Sequence, residues 1–131
     1  MKRFFPFLFL LFVFSCEDKE VIPPFEGDIS LNIYEIKYFS EEVEIGFLDV
    51  NEDSRCPKGV VCKWPGNGKI SLRLSINSSI NYFTLNFYLE PTAVELSGYM
   101  VELKELNPYP VYPDKISLND YSIILNVEQI D

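Results

Sequence analysis

Residues 69–76, Lys-Ile-Ser-Leu-Arg-Leu-Ser-Ile, alternate without a break. Ile70, Leu72, Leu74 and Ile76 fall on one side of an extended chain, and Ser71, Arg73 and Ser75 on the other. Successive strand side chains point to opposite faces, so this segment has one face for a core and one for water. That pattern marks an antiparallel sheet covered on one side only.

Other segments read the same way. Residues 43–50 set Val43, Ile45 and Phe47 against Glu44 and Gly46. Residues 80–89 place Phe83, Leu85, Phe87 and Leu89 inward, after a turn at Asn77-Ser78-Ser79. Residues 29–37 hold Ile29, Leu31, Ile33, Tyr34 and Ile36 mostly on one face. A short strand at 93–97 precedes another at 99–106, and residues 121–128 form a β-branched, apolar last strand. Residues 107–115 hold Pro108, Pro110 and Pro113, which excludes them from a central strand. No segment shows helical amphipathicity. About seven short strands with regular turn signals predict an all-β, antiparallel, Ig-like β-sandwich, with a small β-barrel as the alternative.

The N-terminus has a different logic. Lys2 and Arg3 precede an apolar stretch from Phe4 to Phe14. A membrane-spanning helix needs roughly 20 apolar residues, so this run reads as an export signal rather than an anchor. It ends in Val13-Phe14-Ser15-Cys16, which resembles the bacterial lipobox, where a small residue precedes the cysteine that takes lipid. Residues 1–15 are then a lipoprotein signal peptide and Cys16 is lipidated; the alternative is an ordinary signal peptide with an incidental cysteine. Residues 16–28 form a tether, stiffened by Pro23-Pro24 and closed by a turn at Gly27-Asp28. Residues 29–131 form the domain. Glu17, Asp18 and Glu20, interrupted by Lys19, resemble the surface-export signal of lipoproteins from Bacteroidota-type bacteria. The expected address is the envelope, at the outer membrane; the resemblance implies surface display, and the membrane face is left open.

Charge narrows the partners. The chain has 11 basic and 20 acidic residues, and loss of residues 1–15 removes Lys2 and Arg3, leaving a net charge of −11. Nucleic acid and anionic membrane surfaces need a basic face, so neither is expected as a partner; membrane attachment is through lipid. A protein or a glycan remains. The chain has no His, which excludes a Ser-His-Asp arrangement and leaves zinc short of ligands. No metal or cofactor is expected. Asp49, Asn51 and Asp53 resemble the start of a calcium loop, but Ser54 and Val60 stand where an EF-hand needs Gly and Glu.

If Cys16 carries lipid, Cys56 and Cys62 are left as an even pair in a compartment that permits disulfides. Such a small closed loop contributes about 2 kcal/mol. Free thiols or half of a metal site are the alternatives. The surrounding stretch, Asp53-Ser54-Arg55-Cys56-Pro57-Lys58-Gly59-Val60-Val61-Cys62-Lys63-Trp64-Pro65-Gly66, is the most distinctive in the chain and holds its only tryptophan. The motif DSRCP…C-x-W-x-G, with Gly98–Leu103 and Asn107-Pro108-Tyr109-Pro110 further on, resembles a family of small uncharacterised bacterial envelope lipoproteins. Members often have Ala at the position of Pro65. The resemblance implies fold and address, and no activity.

Read physically, the stretch is a stapled loop. Asp53 and Arg55 can pair across it, or Arg55 can donate to loop carbonyls. Trp64 is expected to cover the disulfide or the end of the core. The other reading is a recognition surface built from Asp53, Arg55, Lys58, Trp64, Tyr109 and Tyr112, the two tyrosines lying in the Pro-rich loop, where they either stay exposed or pack down on the sandwich. Three functions follow in descending order: a non-catalytic envelope binding or accessory module, a protease inhibitor presenting Lys58 in the Cys56–Cys62 loop, and a small carboxylate-dependent hydrolase.

Overall fold

The computed structural model describes residues 26–130, so Cys16, the signal segment and most of the tether lie outside the described residues. The chain folds as β1 (Gly27–Asn32), β2 (Ile36–Tyr38), β3 (Val43–Asp53), β4 (Gly68–Ile76), β5 (Ser79–Asn86), β6 (Ala93–Leu96), β7 (Tyr99–Asn107) and β8 (Ser122–Gln129). A 3₁₀ turn, Leu118–Asp120, precedes β8. The strands form two four-stranded antiparallel sheets, ordered β1-β8-β7-β6 and β2-β3-β4-β5. Neither closes on itself, so the molecule is a sandwich and not a barrel. Like an immunoglobulin domain it is a two-layer antiparallel sandwich. Among the described residues no helix is long and apolar enough to cross a membrane.

The core forms where the alternating patterns meet. Leu31, Val101, Leu103, Leu106, Ile123, Leu125 and Val127 from one sheet pack on Val43, Ile45, Phe47, Ile70, Leu72, Leu74, Ile76 and Leu85 from the other. The two-residue turn at Asn77-Ser78, with φ of 49° and 65°, joins β4 to β5 in the left-handed conformation that suits the twist of a hairpin.

Three expectations need correction. The strand expected at 29–37 is two strands in different sheets. Asn32 and Glu35 close a turn, with the Glu35 N–H donating to the Asn32 carbonyl at 3.0 Å, and Tyr34 takes a left-handed φ of 65°. Tyr34 and Ile36 are therefore 62% and 48% exposed rather than inward. Second, Gly27 and Asp28 are not a turn; they pair with Val127 and Asn126 at the start of β1. Third, Leu89 lies beyond the end of β5 and is exposed, while Phe83 and Phe87 pack against the core as expected.

Register shifts tune which side chains face inward. Between Leu103 and Glu105 the β7–β8 pairing skips Lys104, and the extra residue turns Leu106 into the core. Shifts also occur in β3 between Phe47 and Asp49 and between Val50 and Glu52. The far end of β3 delivers the chain to the Cys56–Cys62 loop.

Candidate functional site

The loop between β3 and β4 begins as a continuation of the β3–β4 ladder. Ser54 N–H donates to the Asn67 carbonyl at 2.7 Å, and Cys56 N–H to the Pro65 carbonyl at 2.8 Å. Cys56 and Cys62 form a disulfide, with Cα atoms 6.0 Å apart.

Arg55 locks the base of this loop. Its side chain is fully buried, and its guanidinium grips Asp53 with two bonds of 2.7 Å, from Nε and from Nη2. Nη1 donates to the Leu106 carbonyl at 2.5 Å and Nη2 to the Pro108 carbonyl at 3.0 Å. Both expected roles, pairing with Asp53 and donating to carbonyls, are thus met at once. The planar fork allows this; a lysine ammonium could not reach all these acceptors. The guanidinium carbon also lies 5.1 Å from the Tyr109 ring centre and 5.8 Å from that of Phe87. The buried charge is therefore paired and hydrogen-bonded, the condition under which burial is tolerated.

Asp53 has a further partner in Tyr121, whose hydroxyl donates to Oδ2 at 2.8 Å. Burial pushes the Asp53 carboxyl up, but the hydrogen bonds from Arg55 and Tyr121 outweigh it and hold it below the ordinary value. The Tyr121 phenol is pushed up to about 12, first by burial and then by its bond to the Asp53 carboxylate. The two shifts act at opposite ends of the pH scale. Asp53 contributes stability at pH above its unfolded pKa, and that contribution is lost as pH falls through the folded value. Tyr121 retains its proton in the folded state, so its contribution is complete below pH 10 and falls as pH rises from there towards 12. Urea unfolding across that alkaline range is expected to show a loss of about 2 kcal/mol by pH 12 that the Tyr121→Phe variant lacks.

The remaining loop residues divide into those that pack and those that project. Tyr109 packs: its hydroxyl donates to the Cys56 carbonyl at 2.8 Å. Lys58 pairs through its main chain with the Pro-rich loop. Its N–H donates to the Pro110 carbonyl at 3.0 Å, and its carbonyl accepts from Tyr112 N–H at 2.9 Å. The Lys58 ammonium lies 5.7 Å from the Tyr109 ring centre. Tyr112 is exposed. Trp64 is not buried over the end of the core; it is 70% exposed. At the base of the loop it is the Arg55 guanidinium, not the indole, that lies against Phe87 and Tyr109. Val61 is fully exposed, and Trp64 shares an open, mostly apolar depression with Pro65, Gly66 and Leu89.

Sequence reading missed two buried asparagines behind the loop. Asn67 donates through Nδ2 to the Asn86 Oδ1 at 2.9 Å and accepts from Tyr88 N–H at 3.2 Å. They tie the start of β4 to the end of β5. Asp49 and Asn51 bond locally within β3 and β4, to Val50 N–H and the Ser71 hydroxyl, and among the described residues no three His, Cys, Asp or Glu side chains gather as a metal would need.

No protein-family model matches this chain, and no curated protein and no solved structure matches it.

Proposed function

We propose that this protein is a lipid-anchored envelope lipoprotein whose sandwich is a non-catalytic binding module, offering the Cys56–Cys62 end of the domain to a protein partner. The observation that carries the reading is the exposure of Val61 and Trp64, 100% and 70%, on a loop whose base is locked by a fully buried arginine. Isolated exposed apolar residues are ordinary. Here they lie three residues apart in a loop that is closed by the Cys56–Cys62 disulfide and tied at its base, which lowers the ordering cost of binding. A tryptophan is also the kind of side chain that anchors an interface.

The inhibitor reading has less support. An inhibitory loop offers the main chain of its reactive residue to the protease, whereas both main-chain groups of Lys58 are engaged with Pro110 and Tyr112. It predicts that Lys58→Ala abolishes inhibition of a trypsin-like protease. The carboxylate-hydrolase reading has least support, since nothing in the sequence selects a pair among the 20 acidic residues.

In this reading Cys16 holds the chain at the outer membrane, and the acidic tether from Glu17 lifts the domain to the surface. One lipid chain anchors only marginally, so two or more are expected. Cys16→Ala is expected to move the protein from the membrane to the soluble fraction, and protease added to intact cells is expected to cut the native protein; full protection places the domain inside.

The binding claim is tested by pull-down from native envelope. The intact domain is expected to retain a discrete partner, and the variant carrying Val61→Ser and Trp64→Ser to lose it with an unchanged unfolding midpoint. Equal capture by both removes the loop from the account.

A further inference from the structure

Among the described residues, four strand edges are open: β1 and β6 in one sheet, β2 and β5 in the other. An open edge presents unpaired N–H and C=O groups, and proteins guard such edges with short strands, charges or proline. β2 is three residues long and holds Lys37. β6 is four residues long and holds Glu95. β1 holds Asp28. β5 has none of these guards. It is eight residues long, with no charge and no proline. In a chain of net charge −9, no charged side chain occurs between Arg73 and Glu90.

The hairpin turn fixes which groups of β5 face outward. A two-residue turn is closed by a hydrogen-bonded pair, here Ile76 with Ser79. Alternation along the ladder then directs the N–H and C=O of Ile80, Tyr82 and Thr84 away from β4. The next residue in that series, Asn86, donates its N–H outward to the Pro91 carbonyl at 2.8 Å. The free window is therefore Ile80, Tyr82 and Thr84, symmetric about Tyr82. The side chains of Ile80 and Tyr82 are 49% and 68% exposed.

We propose that two copies of this chain pair antiparallel through β5, about a two-fold axis at Tyr82. In that register Tyr82 faces its own copy and Ile80 faces Thr84, so every free main-chain group in the window finds a partner in about six hydrogen bonds. The side chains form aromatic and β-branched cross-strand pairs, which suit a sheet. A second copy fits better than another protein because the window is self-complementary, and because two chains of net charge −9 repel least where neither carries charge. The two β2-β3-β4-β5 sheets become one continuous sheet.

The symmetry gives a direct test on the full chain in its native membrane, by single cysteine substitution and mild oxidation. Paired Tyr82 Cα atoms lie about 5.5 Å apart, within disulfide reach. The two Thr84 Cα atoms lie roughly 13 Å apart along the strands, outside it. Tyr82→Cys is expected to give a disulfide-linked dimer on a non-reducing gel. Thr84→Cys alone is expected to give none, and Ile80→Cys with Thr84→Cys to restore it. The unsubstituted chain controls for Cys16. Adding Thr84→Pro to Tyr82→Cys removes one outward N–H without touching the β4 ladder and is expected to abolish the dimer. A charge at the same position, introduced as Thr84→Lys, is expected to give the same result should the proline variant not accumulate. No dimer from Tyr82→Cys, equal dimers from Tyr82→Cys and Thr84→Cys, or a cross-link to a different protein each overturn the proposal.

Discussion

Arg55→Leu is expected to destabilise the domain by about 3–5 kcal/mol, because it leaves the Asp53 carboxylate buried without its partner and strips hydrogen bonds from the Leu106 and Pro108 carbonyls. Small domains have only about 5–15 kcal/mol in total, so the variant stands near the edge of folding. The charge fork, rather than bulk, is what matters: Arg55→Lys keeps a positive charge but cannot grip Asp53 with two bonds and reach two carbonyls besides. It is expected to recover only part of the loss. Asp53→Asn introduced into Arg55→Leu is expected to be less harmful than in the native chain, since it removes the stranded charge. Urea unfolding of the four chains gives the coupling directly. Additive losses would mean that Arg55 and Asp53 act separately and that the lock is misdescribed.

Gly66→Ala is expected to be comparably severe for a different reason. Gly66 has φ of +73°, and a Cβ there would stand 1.8 Å from the Ser54 carbonyl oxygen. That neighbour is main chain, so nothing flexible can yield, and a left-handed φ is itself unfavourable for alanine. Relief requires parting Ser54 from Asn67, whose main chains are joined at 2.7 Å. Losses of several kcal/mol are the expected scale for such backbone misfits. Gly59→Ala is the contrast. Gly59 also has a positive φ, but the nearest atom to an added Cβ is Tyr112 Cβ at 3.9 Å. Its cost is expected to be near 1 kcal/mol, the conformational part alone. Thermal unfolding of the two variants side by side separates clash from conformation.

The regular half of the fold was legible from alternation. β4 and the first half of β3 bury the side chains that their patterns point inward, and β8 is the apolar strand expected at the end of the chain. What alternation could not show is where it is reset. Leu106 is buried only because pairing skips Lys104. Residues 29–37 look like one apolar strand, yet Asn32 and Glu35 bend them from one sheet to the other. The adjacent apolar pair Ile33-Tyr34 was the only local sign of that break.

The site was legible to the same depth. Asp53 and Arg55 are two residues apart, so their pairing is a local matter. The acceptors Leu106 and Pro108 lie 51 and 53 residues from Arg55 and offer only carbonyls, which leave no trace in side-chain identity. Tyr121, 68 residues from Asp53, is equally silent in the sequence. Trp64 illustrates the reverse. Its size predicts burial, yet it is Arg55 that lies against Phe87 and Tyr109, and the indole stands in solvent. Residues that a core ought to claim, and does not, are the ground on which this loop is proposed as a surface for a partner.

That claim is tested most directly in the living cell, by placing a photo-reactive side chain at Val61 of the full chain and illuminating it. A discrete adduct that disappears when Trp64→Ser is added is the predicted result. The same probe at exposed Lys104, on β7 in the other sheet, is expected to give none. No adduct from Val61, or adducts indistinguishable from those of Lys104, would contradict the account.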